Sequence, residues 1–201
     1  MSVTVDDSPL PARELGLRTI GQVLSHLQRE NRIVVQLLVD GQEPDLADLN
    51  RIRQQPLGGR SVHIETADPR ELALEVLRDV SAQLAQTERL KDEAADLLQQ
   101  AQSALAMQRL AGCFTTWQHV QESVLKTGEL LRLNLAAMSV DGRPLVEVLE
   151  GFSAQLRQIK ATLEQRDFVS LADILRYETA DTIRGLHRTL ETLDQTVRSL
   201  R

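Results

Sequence analysis

Few residues in the chain combine the type and the spacing that chemistry needs. Cys113 and His119 stand six residues apart on a stretch that reads as helix, which is about 600° of rotation, so the thiol and the imidazole point in clearly different directions and do not form a nucleophile and base. Cys113 is expected as a packed thiol beside Phe114. His26 and Glu30 share a helical face at i and i+4 and could supply two metal ligands, but no third His or carboxylate has a spacing that completes the set. His63, on a predicted strand, and His187, on a predicted helix, read as surface residues. Asp92, Glu93 and Asp96 crowd one stretch of helix. A di-iron bundle would need E-x-x-H motifs facing inward from several helices, and the chain has none, so the run reads as a solvated face. Neither G-x-x-x-x-G-K-S/T nor G-x-G-x-x-G occurs, which removes the phosphate-cradling loops. The expectation is a protein with no catalytic residue, no metal and no cofactor, and hence no enzyme.

Composition narrows the partners. The chain has 201 residues, 42% hydrophobic and 26% charged, with 29 acids against 23 bases and a net charge of −6. Its bases are 20 Arg and 3 Lys without a basic block, and Arg184, Arg188 and Arg198 alternate with Asp181, Glu191 and Asp194, so nucleic acid is not an expected partner. Apolar runs fall far short of the roughly 18 residues that a bilayer span requires, and the first residues lack the charged and apolar regions of a signal peptide. With a single cysteine and no intramolecular disulfide, the expected location is the cytoplasm, away from any membrane.

The elements that must position these residues divide the chain near Asp68. Five of the six prolines lie before position 70, and all five aromatics (Phe114, Trp117, Phe152, Phe168 and Tyr177) lie after position 110. The expected domains are therefore 1–68 and 69–201. In the first, Met1 to Asp6 alternates as a strand, Asp7-Ser8-Pro9 reads as a turn, and the return strand is expected somewhere in Leu10 to Leu17. Thr19 to Asn31 carries Ile20, Val23, Leu24 and Leu27 at helical spacing, with Thr19 as a cap. Arg32 to Val39 reads as a strand stopped by Asp40-Gly41, Asp45 to Ile52 as a short helix, and Ser61 to Thr66 as a last strand after the Gly58-Gly59 loop.

From Pro69 onward the period changes to helix. Asp68-Pro69-Arg70-Glu71 reads as an N-cap, a proline in the first turn and an acid at N3, opening helix A to about Gln100. No strong breaker separates it from helix B, which Ser103 can cap and whose seam is Leu110, Phe114, Trp117, Gln121, Val124, Gly128, Leu131 and Leu135. These steps of 3 and 4 predict an antiparallel seam with Trp117 in the core. Asp141-Gly142-Arg143-Pro144 turns the chain into helix C, with Leu149, Phe152, Leu156, Ile159 and Leu163, and Gln165-Arg166-Asp167 turns it into helix D, from Phe168 to Leu200. Four amphipathic helices on short connections predict an antiparallel four-helix bundle, so the fold class is α+β.

Polar residues interrupt the stripes of helices A and D. Stepping by 3.6 from Leu84 lands near Glu88 and Lys91, and from Leu175 on Glu178 and Thr182. The four form a candidate polar seam, in which Lys91 and Glu178, at matching heights, are expected to face each other and fix register or line a notch.

The order strand, strand, helix, strand, turn, short helix, strand, carried by Met1-Ser2-Val3-Thr4-Val5, Thr19-Ile20, Val39-Asp40-Gly41-Gln42 and Val62-His63-Ile64, resembles the ubiquitin-like β-grasp fold. That resemblance implies a scaffold whose sheet face or edge binds proteins; it does not imply conjugation, because Gly58-Gly59 is internal. The stretch Arg166 to Glu178 is similar to a segment of uncharacterised bacterial proteins that also join a small N-terminal domain to helices, and the helical plan more distantly resembles flagellar secretion chaperones. The expected function is a non-enzymatic bacterial adaptor or scaffold with a protein partner. The alternative is a flagellar or secretion chaperone that takes up a partner's amphipathic helix, and an enzyme of unknown class is the third reading. A homo-oligomer is compatible with each.

Overall fold

The computed structural model describes residues 2–200, except for the side chain of Leu46. The chain is α+β: a small mixed sheet comes first in sequence and a helical body follows. It divides into two compact units, Met1–Leu72 and Ala73–Arg201, each with its own buried apolar cluster.

In the first unit β1 (Ser2–Val5) returns at once as β2 (Ser8–Pro9), because Asp6 and Asp7 both take left-handed backbone, φ 49° and 61°, and make a two-residue turn. This corrects the expected return strand in Leu10 to Leu17, and Ser8 and Pro9 are strand where a turn was predicted. Residues 10–17 instead wind through turns that bury Ala12 and Leu17. The Asp6 carboxylate secures the turn. It accepts the Thr66 N–H at 2.7 Å, the Thr66 hydroxyl at 2.7 Å and an Arg32 N–H at 3.0 Å. These contacts, the Thr66 hydroxyl foremost, hold its carboxyl below the usual carboxylate range.

Thr19 caps α1 (Ile20–Arg29) in a reciprocal box with Gln22, and Ile20, Val23 and Leu27 are buried. Next come β3 (Ile33–Val39), a short 3₁₀ turn at Leu46–Asp48 that leads into α2 (Leu49–Arg53), and β4 (Ser61–Ala67). The sheet order is β2-β1-β4-β3, with β1 and β4 parallel and the other pairs antiparallel. Val62 and Ile64 of the central β4 are fully buried, whereas β3 lies at the edge.

Helix α3 (Pro69–Gln99) begins where Asp68 Oδ1 accepts the N–H groups of Arg70 and Glu71 at 2.7 and 3.3 Å. It ends at Ala101, whose left-handed φ of 60° lets the Gln102 N–H reach the Leu97 carbonyl at 2.8 Å and its own N–H reach Leu98. The same closing turn, centred on Asn31, Arg132 and Arg166, ends α1, α4 (Ser103–Leu130) and α5 (Leu145–Glu164).

Helix α4 stops at Leu130, so the predicted helix B is too long. Leu131 and Leu135 leave the helix, and the chain folds back until the Leu135 side chain covers Gly128, where a Cβ would lie 2.6 Å from its Cδ1. A short hairpin of β5 (Ser139–Val140) and β6 (Arg143–Pro144) turns on Asp141-Gly142, which places Pro144 just ahead of α5. The predicted helix D is not uniform either. It consists of α6 (Phe168–Asp173), a π-helical turn at Ile174–Glu178 and α7 (Thr179–Ser199).

Two outcomes follow from these ends and turns. Left-handed backbone costs a residue with a Cβ about 1–2 kcal/mol, so Ala101→Gly should raise the unfolding free energy, by about 0.5–1 kcal/mol after the larger unfolded-state entropy of glycine. Urea titration followed by circular dichroism measures this, and a loss of stability would count against the turn. Because the Asp6 carboxyl is held low in the folded chain, its contribution is complete above the unfolded value of about 4 and is lost as pH falls through the lower folded value. The protection factors of β1 and β4 amides, their exchange rates referred to the intrinsic rate at each pH, should therefore fall on acidification through that range, and Asp6→Asn should flatten the response.

Candidate functional site

The helical unit buries polar groups around one side chain. Lys91 on α3 is only 5% exposed, and its Nζ donates to the Leu175 carbonyl at 2.9 Å and to Asp92 Oδ1 at 2.6 Å. That carbonyl is reachable because Leu175 lies in the π turn, where the i to i+4 ladder is interrupted; the Thr179 hydroxyl donates to the same oxygen at 2.6 Å. One turn earlier on α3, buried Thr87 donates its hydroxyl to the Leu84 carbonyl and accepts Trp117 Nε1 at 3.0 Å. Trp117, 1% exposed, meets Phe114 and Phe152 edge to face, with ring centroids 5.7 and 6.3 Å away. Cys113 Sγ lies 3.7 Å from the Thr87 carbonyl. Burial pushes its thiol up to about 11 against the opposing pull of Lys91, so the group stays protonated at neutral pH and is no nucleophile.

The four seam residues are not brought together as expected. Glu178 is exposed and accepts from Gln158 Nε2 at 2.9 Å, so it faces α5 while Lys91 bonds the Leu175 carbonyl. The expected Lys91–Glu178 pair is therefore corrected to a bond between Lys91 and main chain. The reason is the π turn, which adds a residue to one turn and shifts the phase, so Thr179 and Ile183 point into the core in place of Glu178 and Thr182. Thr182 is half-buried beside Trp117, Phe152 and Ile159. Glu88 is exposed, with Oε1 3.0 Å from His187 Nε2, which ties α3 to α7 at the surface. Thr87 was not foreseen. Its signal is a step of 3 from Leu84, where the predicted step of 4 gives Glu88.

Above Lys91 opens a cleft of about 310 Å³, lined by Glu88, Lys91, Asp92, Arg176, Arg184 and His187 among others. Its bases are already answered. Arg176 bonds Asp96, and also Gln99 at 3.1 Å; Arg184 bonds Asp181 at 2.7 Å; His187 meets Glu88. The acidic run is consumed in the same way, with Asp92 on Lys91, Asp96 on Arg176, and Glu93 between Arg89 and Arg109 at 3.2 and 3.6 Å. The remaining histidines are spread out: His26 lies 3.3 Å from Glu30, His63 Nδ1 is 2.9 Å from the Thr4 hydroxyl, and His119 contacts Gln83. Among the described residues no three His, Cys, Asp or Glu side chains are grouped to hold a metal ion, and no helix is long and apolar enough to cross a membrane.

The first unit has a more open surface. A groove of about 520 Å³ runs beside edge strand β3, with Leu24, Val35, Leu37, Pro44, Leu49 and Arg53 among its lining residues. Val35 is 52% exposed at the point where the β3/β4 register shifts. Arg53 and Glu43, both exposed groove residues, have no side-chain hydrogen bond or ion pair among the described residues. The sequence signal for this groove is Ile33–Val39 itself, seven residues without a charge, although nothing local marks the strand as an edge.

A family model described as a domain of unknown function (DUF8042) matches residues 74–189, which include Lys91, Trp117 and the π turn. No curated protein and no solved structure matches the chain.

The shared Leu175 carbonyl gives a thermodynamic test. In urea unfolding, the double-mutant cycle of Lys91→Met with Thr179→Val should show coupling above about 0.5 kcal/mol, and Lys91→Met with Glu178→Gln should be additive within about 0.3–0.5 kcal/mol. The opposite pattern would mean that Lys91 pairs with Glu178 in solution.

Proposed function

The chain belongs to the DUF8042 family, and from its geometry we propose a non-enzymatic protein–protein interaction role, as an adaptor or scaffold. The observation that carries this reading is the apolar groove beside the β3 edge, with an exposed valine at its rim and two charged side chains, Arg53 and Glu43, that form no ion pair among the described residues. Patches of this kind on a protein surface mark interaction sites. The helical unit supports the reading by contrast. Buried Lys91, Thr87 and Trp117 have hydrogen-bond partners within the unit, its cysteine is protonated and packed, and the bases of its cleft are each matched to an acid.

In this reading the first unit is a β-grasp-like module. Support comes from the sheet order β2-β1-β4-β3, the parallel pairing of β1 with β4, and α1 between the first hairpin and β3. The second unit is read as a four-helix bundle, supported by one apolar cluster to which α3, α4, α5 and the α6–α7 segment all contribute. The groove module supplies the docking surface. The bundle, locked by Lys91, supplies a rigid body.

Photo-crosslinking tests the role. A benzophenone amino acid replacing Val35 in the full chain, expressed in its native host, should attach a defined protein segment that mass spectrometry identifies. The same group replacing Val169, 77% exposed on α6, should not. No adduct at position 35, or equal adducts at both positions, would overturn the proposal.

A further inference from the structure

We infer that the β3 groove takes a short extended segment of a partner protein, an apolar residue flanked by an acid and a base, held through main-chain hydrogen bonds to Leu37; this rests on the interaction role proposed above. The ladder of β3 shows where those bonds form. The Asp40 N–H donates to the Ser61 carbonyl at 2.7 Å, so Asp40, Leu38 and Gln36 turn their main-chain groups toward β4. By the alternation of an antiparallel pair, Leu37, opposite Ile64, turns its N–H and C=O away from β4, toward the open edge.

Both ends of that edge are closed. Val39 exchanges hydrogen bonds with Gln42, at 2.9 Å from its N–H and 3.1 Å to its carbonyl. At the other end the register shift between Val34 and Gln36 inserts Val35 as an extra residue and bends the strand. A bulge and a capped end are devices that prevent long edge-to-edge pairing. A second copy of β3 would need a longer regular ladder than this edge offers, whereas a segment of about three residues needs only the Leu37 pair.

The chemistry of the segment follows from the walls. Side chains of an added strand alternate in direction, so a residue paired with Leu37 directs its side chain to one face, where Leu24, Pro44 and Leu49 form an apolar lining. Arg53 and Glu43, each exposed and without a side-chain partner among the described residues, complement one carboxylate and one ammonium or guanidinium group on the segment. Arg32 also lines the groove but is held by Asp6 and Thr66, so it adds less.

The probe is the peptide acetyl-Lys-Val-Leu-Val-Asp-amide, titrated to millimolar concentration into the ¹⁵N-labelled full chain. The expected result is saturable shifts of the Leu37 amide and of groove residues. N-methylation of the central peptide amide should weaken binding at least tenfold, and Arg53→Glu should weaken it several-fold while leaving the melting temperature unchanged. No saturable shift at Leu37, or equal binding of the N-methylated peptide, would overturn the inference. So would concentration-dependent self-association that shifts Leu37 without peptide, which would assign the groove to a second copy. A crosslink at position 35 to another protein, with no peptide effect at Leu37, would leave the interaction role standing and remove only the extended-segment mode.

Discussion

The helical unit is organised around a lysine that has left water. Burying an amine costs several kcal/mol unless its hydrogens find acceptors, and Lys91 finds one on its own helix, at Asp92, and one across the core, at the Leu175 carbonyl. A regular α-helix would commit that carbonyl to the N–H four residues on. The π turn at Ile174–Glu178 disturbs this ladder, and the Thr179 hydroxyl completes the acceptor's shell. Side chains downstream then fall in a new phase, with Thr179, Ile183, Leu186 and Leu190 buried. One turn from Lys91, Thr87 is another buried polar residue, and it satisfies the indole of Trp117. The bond, the turn and the aromatic cluster thus form one connected arrangement.

The outer surface of this unit repeats the pattern at lower cost. Glu88 with His187 and Asp96 with Arg176 tie α3 to the closing helical segment, and the acids between them are matched to bases on the same or neighbouring helices. Exposed pairs of this kind contribute little individually, typically about 0–1 kcal/mol, but they leave little unbalanced charge in the cleft. The first unit differs. Its core is closed by Ile20, Val23, Leu57, Val62 and Ile64, while on the β3 edge the Leu37 main chain faces outward and Arg53 and Glu43 stand beside it without an ion-pair partner among the described residues. Satisfied groups make scaffold and unsatisfied ones make recognition, which is why the functional reading rests on the smaller unit.

Much was legible in the chain itself. Thr19 with Gln22 and Asp68 with Pro69 mark helix starts through side-chain acceptors that work within a few residues, and the structure uses both. Asp141-Gly142 turns its hairpin for the same local reason. Helix ends were less visible. Ala101, Arg132 and Arg166 take the left-handed position that glycine or asparagine would have advertised, and only Asn31 is of the expected type.

The sequence by itself determined the α+β class, the change of period near Asp68, the starts of α1 and α3 and most of the buried stripes, because capping, turn formation and amphipathic spacing are set by residues within about one helical turn of each other, whereas Ser103 proves to be the first residue of α4 and not its cap. Tertiary structure decided three things. It placed β3 at the sheet edge, since neighbours in a sheet are chosen by partners distant in sequence, here Ser61–Ala67. It stopped α4 at Leu130, where Gly128 admits Leu135. It also set the phase of the last helix, because the π turn is held by a bond between residues 84 positions apart, Lys91 and Leu175, which a reading of local period does not register.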